Sequence, residues 1–148
     1  REDMWAGMDS EGTLHLHSQQ NHHEQFEGSF GWTDRSLQST DKSRGQTQNE
    51  PLRIPPVFVE NGQLMAVVYN QHKKTGVQKL LRRTTRGGNE ILLFDVSRYN
   101  LTHEQSIGPF PGTILDIHSA PLHSEQLLWI RKTQTGETVL EMADLSHR

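Results

Sequence analysis

The chain has 148 residues, a formal net charge of −3 and no cysteine, and these three properties set the first limits on its function. A near-neutral charge provides no global field that would attract nucleic acid or a membrane, so either role would require a local basic patch. The lack of cysteine excludes disulfides, thiolate metal sites and cysteine nucleophiles. Only 32% of the residues are hydrophobic and the polar excess precedes Pro51, so the core is expected to come from residues 51–148.

The amino-terminal segment shows no sign of targeting. Its opening residues lack the apolar stretch of a signal peptide, and no apolar run in the chain approaches the length of a membrane span. Because the first residue is Arg1 rather than methionine, we expect an excised, processed or cloned fragment. Asn100 begins an Asn-Leu-Thr sequon, which is compatible with secretion but matters only in a secretory pathway. The sequence therefore does not indicate the cellular compartment of the protein.

Residues 1–32 are predicted to form N-terminal strands. Leucine and histidine alternate in TLHLH, residues 13–17, which places the leucines on one face of a strand and the histidines on the other. A turn at residues 9–12 would join this strand to MWA in a hairpin. The aromatic residues of FEGSFGW, residues 26–32, are expected to form a short strand that docks on the core. Residues 33–50 contain one apolar residue and are predicted to be an exposed polar loop.

Residues 51–148 are predicted to be the main β-meander region. The segment 56–69 carries the strongest hairpin signal in the chain, with Asn61 and Gly62 at its turn. Apolar runs without alternation indicate strands that are covered on both faces, and the chain has three of them: LMAVVY at 64–69, ILLF at 91–94 and LLWI at 127–130. Since no amphipathic helix lies between these runs, we expect antiparallel sheets stacked face to face.

The order of the remaining strands is predicted from the same patterns. VQKLLRRTT, residues 77–85, is expected to lie between LMAVVY and ILLFDVS in one antiparallel meander. Residues 97–112 are predicted to be a long connection, and TILDIH at 113–118 is predicted to be the next strand. The fold class is therefore all-β and antiparallel.

An approximate internal repeat relates residues 78–97 to residues 126–146. Both segments have an apolar pair, two basic residues, a threonine, a glycine turn, an acidic residue, an apolar run and Asp-aliphatic-Ser. Hairpins repeated at 48 or 49 residues are typical of β-propeller blades, which cover their apolar faces by stacking on copies of themselves. We therefore predict a propeller-blade-like fragment, with a β-sandwich or a small β-barrel as alternatives.

The segment LLRRTTRGGNEILLFDVSRYN resembles a blade of the N-terminal propeller of prolyl oligopeptidase-type serine peptidases. The resemblance depends on Leu92-Leu93-Phe94-Asp95-Val96-Ser97, covers at most about forty residues, and departs from the family at Ser97, where the family has asparagine. It implies a propeller or gating domain whose catalytic residues lie in a separate hydrolase domain. This chain has no G-x-S-x-G motif, so no catalytic residue is assigned.

A histidine-rich segment is the sharpest chemical cluster in the sequence. His15 and His17 project from one face of the predicted strand and could bind one metal ion, with His22 or Glu24 from the next turn and His118 from another strand. His-x-His followed by Glu resembles the metal motif of cupins, although the glycine before the first histidine is absent and Glu24 lies too far along. The favoured alternative is an exposed polar segment with no cofactor.

Residues 72–86 form a basic stretch with no acidic residue, and its cations are Lys73, Lys74, Lys79, Arg82, Arg83 and Arg86. Alternation along a strand would divide these charges between two faces, so one stripe that follows phosphates is not the favoured prediction. The pattern is typical of a solvated edge strand, on which lysine and arginine discourage aggregation. Binding of nucleic acid, phosphate or anionic lipid is the less favoured hypothesis.

Two further features are assigned structural roles. Asp116 and His118 lie two residues apart on one predicted strand and are expected to brace each other, since no activated nucleophile accompanies them. Trp5, Trp32 and Trp129 are predicted to be core residues, with Trp32 also a candidate stacking surface for a ligand.

These patterns favour a non-catalytic propeller-type scaffold or protein-interaction module within a larger chain or assembly. A few blades cannot close a ring, so a protein partner or the remaining blades of the same protein should cover the terminal sheets. No enzyme activity is expected of the chain on its own. One alternative is the propeller or gating domain of a serine peptidase. The other is a metal-binding, cupin-like β-barrel that binds a divalent transition metal through His15, His17, His22, Glu24 and His118.

Overall fold

The computed structural model describes residues 3–41, 46–71, 88–120 and 123–147, and these residues contain β-strands and one 3₁₀ turn, Leu145–His147. None of them forms a helix that is long and apolar enough to cross a membrane. In chain order the strands are β1 Met4–Met8, β2 Leu14–Ser18, β3 His23–Phe26, β4 Trp32–Asp41, β5 Gln46–Arg53, β6 Val57–Val59, β7 Leu64–Tyr69, β8 Asn89–Asp95, β9 Thr102–Phe110, β10 Thr113–Ala120, β11 His123–Lys132 and β12 Thr138–Asp144.

The strands form four sheets in which every pair of neighbours is antiparallel. The first sheet is β1-β2-β3, the middle sheet is β6-β7-β8-β9 and the third sheet is β10-β11-β12, while β4 and β5 pair as a separate hairpin. The predicted all-β, antiparallel class is therefore confirmed. Among the described residues each sheet is open, so the alternative of a small closed barrel is not supported.

The middle sheet is covered on both faces. All six residues of β7 are buried, and they alternate between two apolar clusters because successive side chains of a strand point to opposite faces. Leu64, Ala66 and Val68 belong to one cluster, and Met65, Val67 and Tyr69 belong to the other. This arrangement confirms the predicted two-sided cover for LMAVVY and ILLF. In LLWI, residues 127–130, only Leu127 and Trp129 are buried, so the prediction of two-sided cover was wrong for this run.

The two clusters form two core layers. The first core layer lies between the first and middle sheets and contains Met4, Leu14, Leu16, Phe30, Met65, Val67, Tyr69, Leu92, Phe94 and Val96. The second core layer lies between the middle and third sheets and contains Ile54, Val59, Leu64, Ala66, Val68, Ile91, Leu93, Ile114, Ile117, Leu127, Trp129 and Leu145. Three sheets are therefore stacked face to face, with the longest apolar strands at the centre.

Asn70 connects the middle sheet to the elements on either side of its end. Its side chain is only 1% exposed, and its Nδ2 donates hydrogen bonds to the carbonyl oxygens of Trp32 at 2.8 Å and Ile114 at 2.7 Å. Its Oδ1 accepts a bond from the Ile114 amide at 2.9 Å. A buried polar side chain must satisfy its donors and acceptors locally, and Asn70 does so by joining β4 and β10 to the residue that follows β7.

Two segments predicted as loops contain strands. Residues 33–41 and 46–50 lie in β4 and β5, which pair with each other, and residues 102–110 of the predicted connection form β9, which pairs with β8. Both predictions were wrong because they were based only on the low apolar content of the two segments. A strand can also be held by backbone hydrogen bonds to a neighbour, and these do not depend on hydrophobic composition.

The predicted order of the central strands also needs correction. β8 is hydrogen-bonded to β7 on one side and to β9 on the other, so LMAVVY and ILLFDVS are direct neighbours. VQKLLRRTT, which was expected between them, lies outside the described residues. The misplacement arose because 19 residues separate β7 from β8, and the hydrophobic pattern does not indicate which strands will pair.

Both copies of the internal repeat end in the same type of turn, at residues 95–97 and 144–146. Asp95 Oδ1 accepts bonds from the Ser97 amide at 2.9 Å and the Ser97 hydroxyl at 2.6 Å, and Asp144 makes the same two bonds with Ser146 at the same distances. The aliphatic residue inside each turn is buried in a core layer. β8 and β12 therefore end in the same hydrogen-bonded turn. Residues 78–87 of the first copy lie outside the described residues.

Candidate functional site

The outer face of the first sheet carries the predicted histidines. Leu14 and Leu16 are buried on the inner face of β2, and His15 and His17 project from the opposite face, as the alternation predicted. A turn closed by the Ser18 amide on the His22 carbonyl at 3.0 Å leads into β3 and places His23 opposite His17. Three imidazoles from two adjacent strands consequently share one surface.

These three side chains, His15, His17 and His23, are hereafter called the histidine cluster. One ring nitrogen from each lies within 4.8 Å of the others, and His15 Nδ1 is 3.0 Å from His23 Nε2. The rings of His17 and His23 are stacked, with centroids 4.3 Å apart and planes inclined by 5°. The arrangement is therefore dense in nitrogen ligands and partly open to solvent.

Asp9, in the turn between β1 and β2, orients the histidine cluster. Its Oδ2 lies 2.9 Å from His15 Nε2, while its Oδ1 accepts hydrogen bonds from the amides of Glu11 at 2.9 Å and Thr13 at 3.0 Å. The hydrogen bond from His15, followed by the backbone bonds, holds the pKa of Asp9 below its usual value. An ionised carboxylate is an acceptor only, so His15 Nε2 is the donor in this pair.

The ring of His23 contacts the rings of both His15 and His17. Loss of water around its ring, and then the repulsion that His17 and His15 exert on a charged ring when they are themselves protonated, lower the pKa of His23. The neutral imidazole is therefore favoured at this position. A neutral ring offers one unprotonated nitrogen that can act as a ligand.

The structure does not bring the other predicted metal ligands to this cluster. His22 Nε2 pairs with Glu24 Oε1 at 2.9 Å, and His118 Nε2 pairs with Asp116 Oδ2 at 2.9 Å on the third sheet. The expectation that Asp116 and His118 brace each other agrees with this contact. His23 was not among the predicted ligands because its position depends on the β2–β3 register, although the turn at 18–22 is the signal that could have revealed it.

The predicted basic surface lies outside the described residues. This applies to all of its members, Lys73, Lys74, Lys79, Arg82, Arg83 and Arg86. The edge-strand and anion-binding hypotheses for this stretch both remain predictions.

The three tryptophans occupy different environments. Trp129 is buried in the second core layer, as predicted, and Trp32 is half-buried. Trp5 was wrongly predicted to be core: its side chain is 54% exposed and stacks on His17 with ring centroids 5.5 Å apart. Trp5 pairs with His17 in the β1–β2 register, and therefore lies on the outer face beside the histidine cluster.

The outer face of the third sheet is apolar along β11 and β12. Across β11 and β12, Leu128 pairs with Met142 and Ile130 pairs with Leu140. Leu140 is 71% exposed and Met142 is 57% exposed. We call these four residues the apolar face. Cross-strand neighbours on one face of a sheet form a continuous surface, so the exposed leucine and methionine belong to a patch rather than occurring singly.

On the opposite face of β11 and β12, Glu141 forms hydrogen bonds with two side chains of β11. Its Oε1 accepts hydrogen bonds from Trp129 Nε1 at 2.9 Å and Arg131 Nε at 2.8 Å, and its Oε2 accepts from Arg131 Nη2 at 3.2 Å. The guanidinium of Arg131 also lies over the ring of Phe110, 5.5 Å from its centroid. These contacts hold the indole of Trp129 in the second core layer, and the alternation of side chains along β11 and β12 places the apolar face on the other side.

Replacement of Glu141 with glutamine should make stability less sensitive to acid. The hydrogen bond from Arg131, then that from Trp129, lowers the pKa of Glu141 in the folded chain. Its stabilising effect is therefore complete above the ordinary glutamate pKa of about 4.3 and is lost as the pH falls through the lower folded value. We expect E141Q to cost on the order of 1 kcal/mol at pH 7 and much less in acid.

Urea unfolding at pH 7, 5 and 3 measures this difference. Glu137→Gln, in the exposed turn before β12, is the control and should change stability little at any of these pH values. A difference between the wild type and E141Q that stays constant down to pH 3 would contradict the assigned ion pair.

Comparison of the chain with family models, curated proteins and solved structures finds no match.

Proposed function

We propose that this chain is a protein-interaction scaffold of the propeller-blade type, and that its apolar face packs against a further antiparallel β-sheet. The observation that carries the proposal is the pairing of Leu128 with Met142 and of Ile130 with Leu140 on an outward face. Contiguous exposed apolar patches of more than a few hundred Å² are typical of interaction surfaces.

The layered design supports a β-sheet as the occupant. The middle sheet has two apolar faces, and an antiparallel sheet covers each of them. The third sheet is similar in part: its inner face contributes Leu127 and Trp129 to the second core layer, and its outer face carries the apolar face on β11 and β12, beside Asp116 and His118 of β10. Stacked repeats commonly bury such faces against the next unit.

The repeated turns support the same proposal. β8 and β12 end in equivalent Asp-aliphatic-Ser turns with the same hydrogen bonds. β8 lies in a sheet covered on both faces, so its counterpart β12 is expected to occupy a similar environment. A β-sheet of the complete protein or of a partner would supply the missing layer.

Analytical ultracentrifugation and fluorescence of the dye ANS test the proposal on the full 148-residue chain. We expect concentration-dependent self-association and strong ANS binding in the wild type, because the uncovered face is available to other copies and to the dye. The double variant Leu140→Lys with Met142→Lys should become monomeric and lose most of the ANS signal, since two charges then occupy the apolar face.

A charge-matched variant provides the control. Gln134→Lys with Thr135→Lys adds the same charge at exposed polar positions in the turn before β12, and should leave both association and ANS binding unchanged. Urea unfolding of each variant shows whether it is folded. A wild-type chain that is monomeric at every concentration and does not bind ANS would overturn the proposal.

A further inference from the structure

The histidine cluster has a feature that a merely exposed histidine-rich surface does not require. His15 is held at both ring nitrogens, with Asp9 Oδ2 at 2.9 Å from Nε2 and His23 Nε2 at 3.0 Å from Nδ1. Because the Nε2–H of His15 donates a hydrogen bond to the carboxylate, the lone pair of Nδ1 in the neutral ring accepts one from His23 Nε2. A carboxylate that fixes the tautomer of a histidine in this way is the usual outer partner of a metal ligand.

The ligand separation also suits a small metal ion. Zinc–nitrogen bonds of about 2.0–2.1 Å at tetrahedral angles place two ligand nitrogens roughly 3.3 Å apart. The distance between His15 Nδ1 and His23 Nε2 is 3.0 Å, and a nitrogen of His17 lies within 4.8 Å of both. Placing three nitrogens around one ion therefore requires a rotation of His17 and a shift of the His23 proton from Nε2 to Nδ1, which frees the Nε2 lone pair for the metal.

We propose that His15, His17 and His23 form a zinc site on the outer face of the first sheet, with Asp9 as the hydrogen-bonded partner of His15. Three imidazole nitrogens form a ligand set typical of zinc, and they leave the fourth tetrahedral position to water or to a ligand donated by another molecule. This site is independent of the apolar face, which lies on the third sheet.

The backbone positions the ligands before the metal binds. His15 and His17 alternate with Leu14 and Leu16, which are buried in the first core layer, so the direction of the two histidines is fixed by the core. The register that pairs His17 with His23 fixes the third ligand. The loss of conformational freedom on metal binding is then confined to side-chain torsions.

His17 is the ligand that must move. Its ring is stacked parallel to that of His23, whereas a metal ion lies close to the plane of each imidazole that binds it. Zinc should therefore turn His17 out of the stack, and this movement would change the contact between His17 and Trp5, whose ring centroids are 5.5 Å apart. The exposed indole of Trp5 can follow the movement and reports it by fluorescence.

Isothermal titration of untagged protein with zinc chloride at pH 7.5 tests the site. We expect one zinc ion per chain, an increase in the melting temperature through binding to the folded state, and a change in tryptophan fluorescence that Trp5→Phe removes. His23→Ala and His17→Gln should each lower the affinity by at least tenfold. Asp9→Asn should lower it by about 10- to 100-fold, because the tautomer of His15 is no longer fixed.

His22→Ala is the matched control. His22 precedes His23 directly but pairs with Glu24, so its removal should leave zinc affinity unchanged. Each variant is compared by circular dichroism without metal, and His17→Gln serves if His23→Ala does not fold. Substoichiometric binding by the folded wild type, or equal losses in His22→Ala and His23→Ala, would overturn the proposal in favour of nonspecific binding by a histidine-rich surface.

Discussion

Replacing Asn70 with leucine is expected to destabilise the chain by about 3–5 kcal/mol, because each buried polar group left without a partner costs roughly 1–3 kcal/mol. Leucine has a similar volume but cannot bond to the carbonyls of Trp32 and Ile114 or to the amide of Ile114. The loss should affect the connection between three elements at once, since the side chain joins β4, β10 and the end of β7. Urea unfolding followed by circular dichroism measures the change.

Two further variants separate hydrogen bonding from shape. Asn100→Leu makes the same exchange at an exposed position and should change stability by no more than about 0.5 kcal/mol. Asn70→Asp preserves the shape of the side chain but removes the Nδ2 donors and turns a negative charge toward two carbonyl oxygens, so at pH 7 it should be at least as damaging as leucine. If Asn70→Leu were as mild as Asn100→Leu, the proposed role of Asn70 would be wrong.

The sequence predicted those parts of the fold that depend on the side-chain period of a strand. Leu14 and Leu16 face the core and His15 and His17 face outward because alternation is encoded in five consecutive residues. The six buried residues of β7 were predicted in the same way, since an apolar run without alternation requires cover on both faces. Asn61 adopts the left-handed φ of 56° that its hairpin turn requires.

The sequence did not predict features that depend on which strands pair. β4, β5 and β9 are polar, and their backbone bonds leave no periodic trace in the hydrophobic pattern. His15 and His17 were predicted as metal ligands, but His23 was not, for the same reason: His23 lies opposite His17 on the neighbouring strand, and the turn after Ser18 sets this register. Trp5 was assigned to the core by its residue type, although its pairing with His17 places it outside.

Asn70 illustrates a further limit of sequence analysis. A single asparagine after an apolar strand is typical of an exposed turn, and nothing in the neighbouring residues indicates that Ile114 and Trp32 will surround it. Its burial follows from the stacking of sheets that are distant in sequence. Polar residues that connect layers can be identified only once those layers are assembled.

Truncation of Phe94 to alanine should cost about 3–5 kcal/mol, the usual range for phenylalanine removed from a packed core. The side chain is fully buried in the first core layer. Its ring forms edge-to-face pairs with Phe26 and Phe30, with ring centroids 5.1 Å and 6.4 Å apart. Edge-to-face pairs add to the effect of buried area. The cavity would lie between the first and middle sheets, so these two layers should separate first.

Two measurements test whether the loss from Phe94→Ala is local to that layer. Phe58→Ala removes the same atoms from a partly buried ring on the same layer and should cost less, about 1–2 kcal/mol, because less area and less cavity are involved. Native-state hydrogen exchange should show that amides of β2 lose more protection than amides of β11, since only the first sheet depends on Phe94 for cover. Equal loss in β2 and β11 would mean that the three stacked sheets unfold as one unit, and that the middle sheet transmits the defect from one core layer to the other.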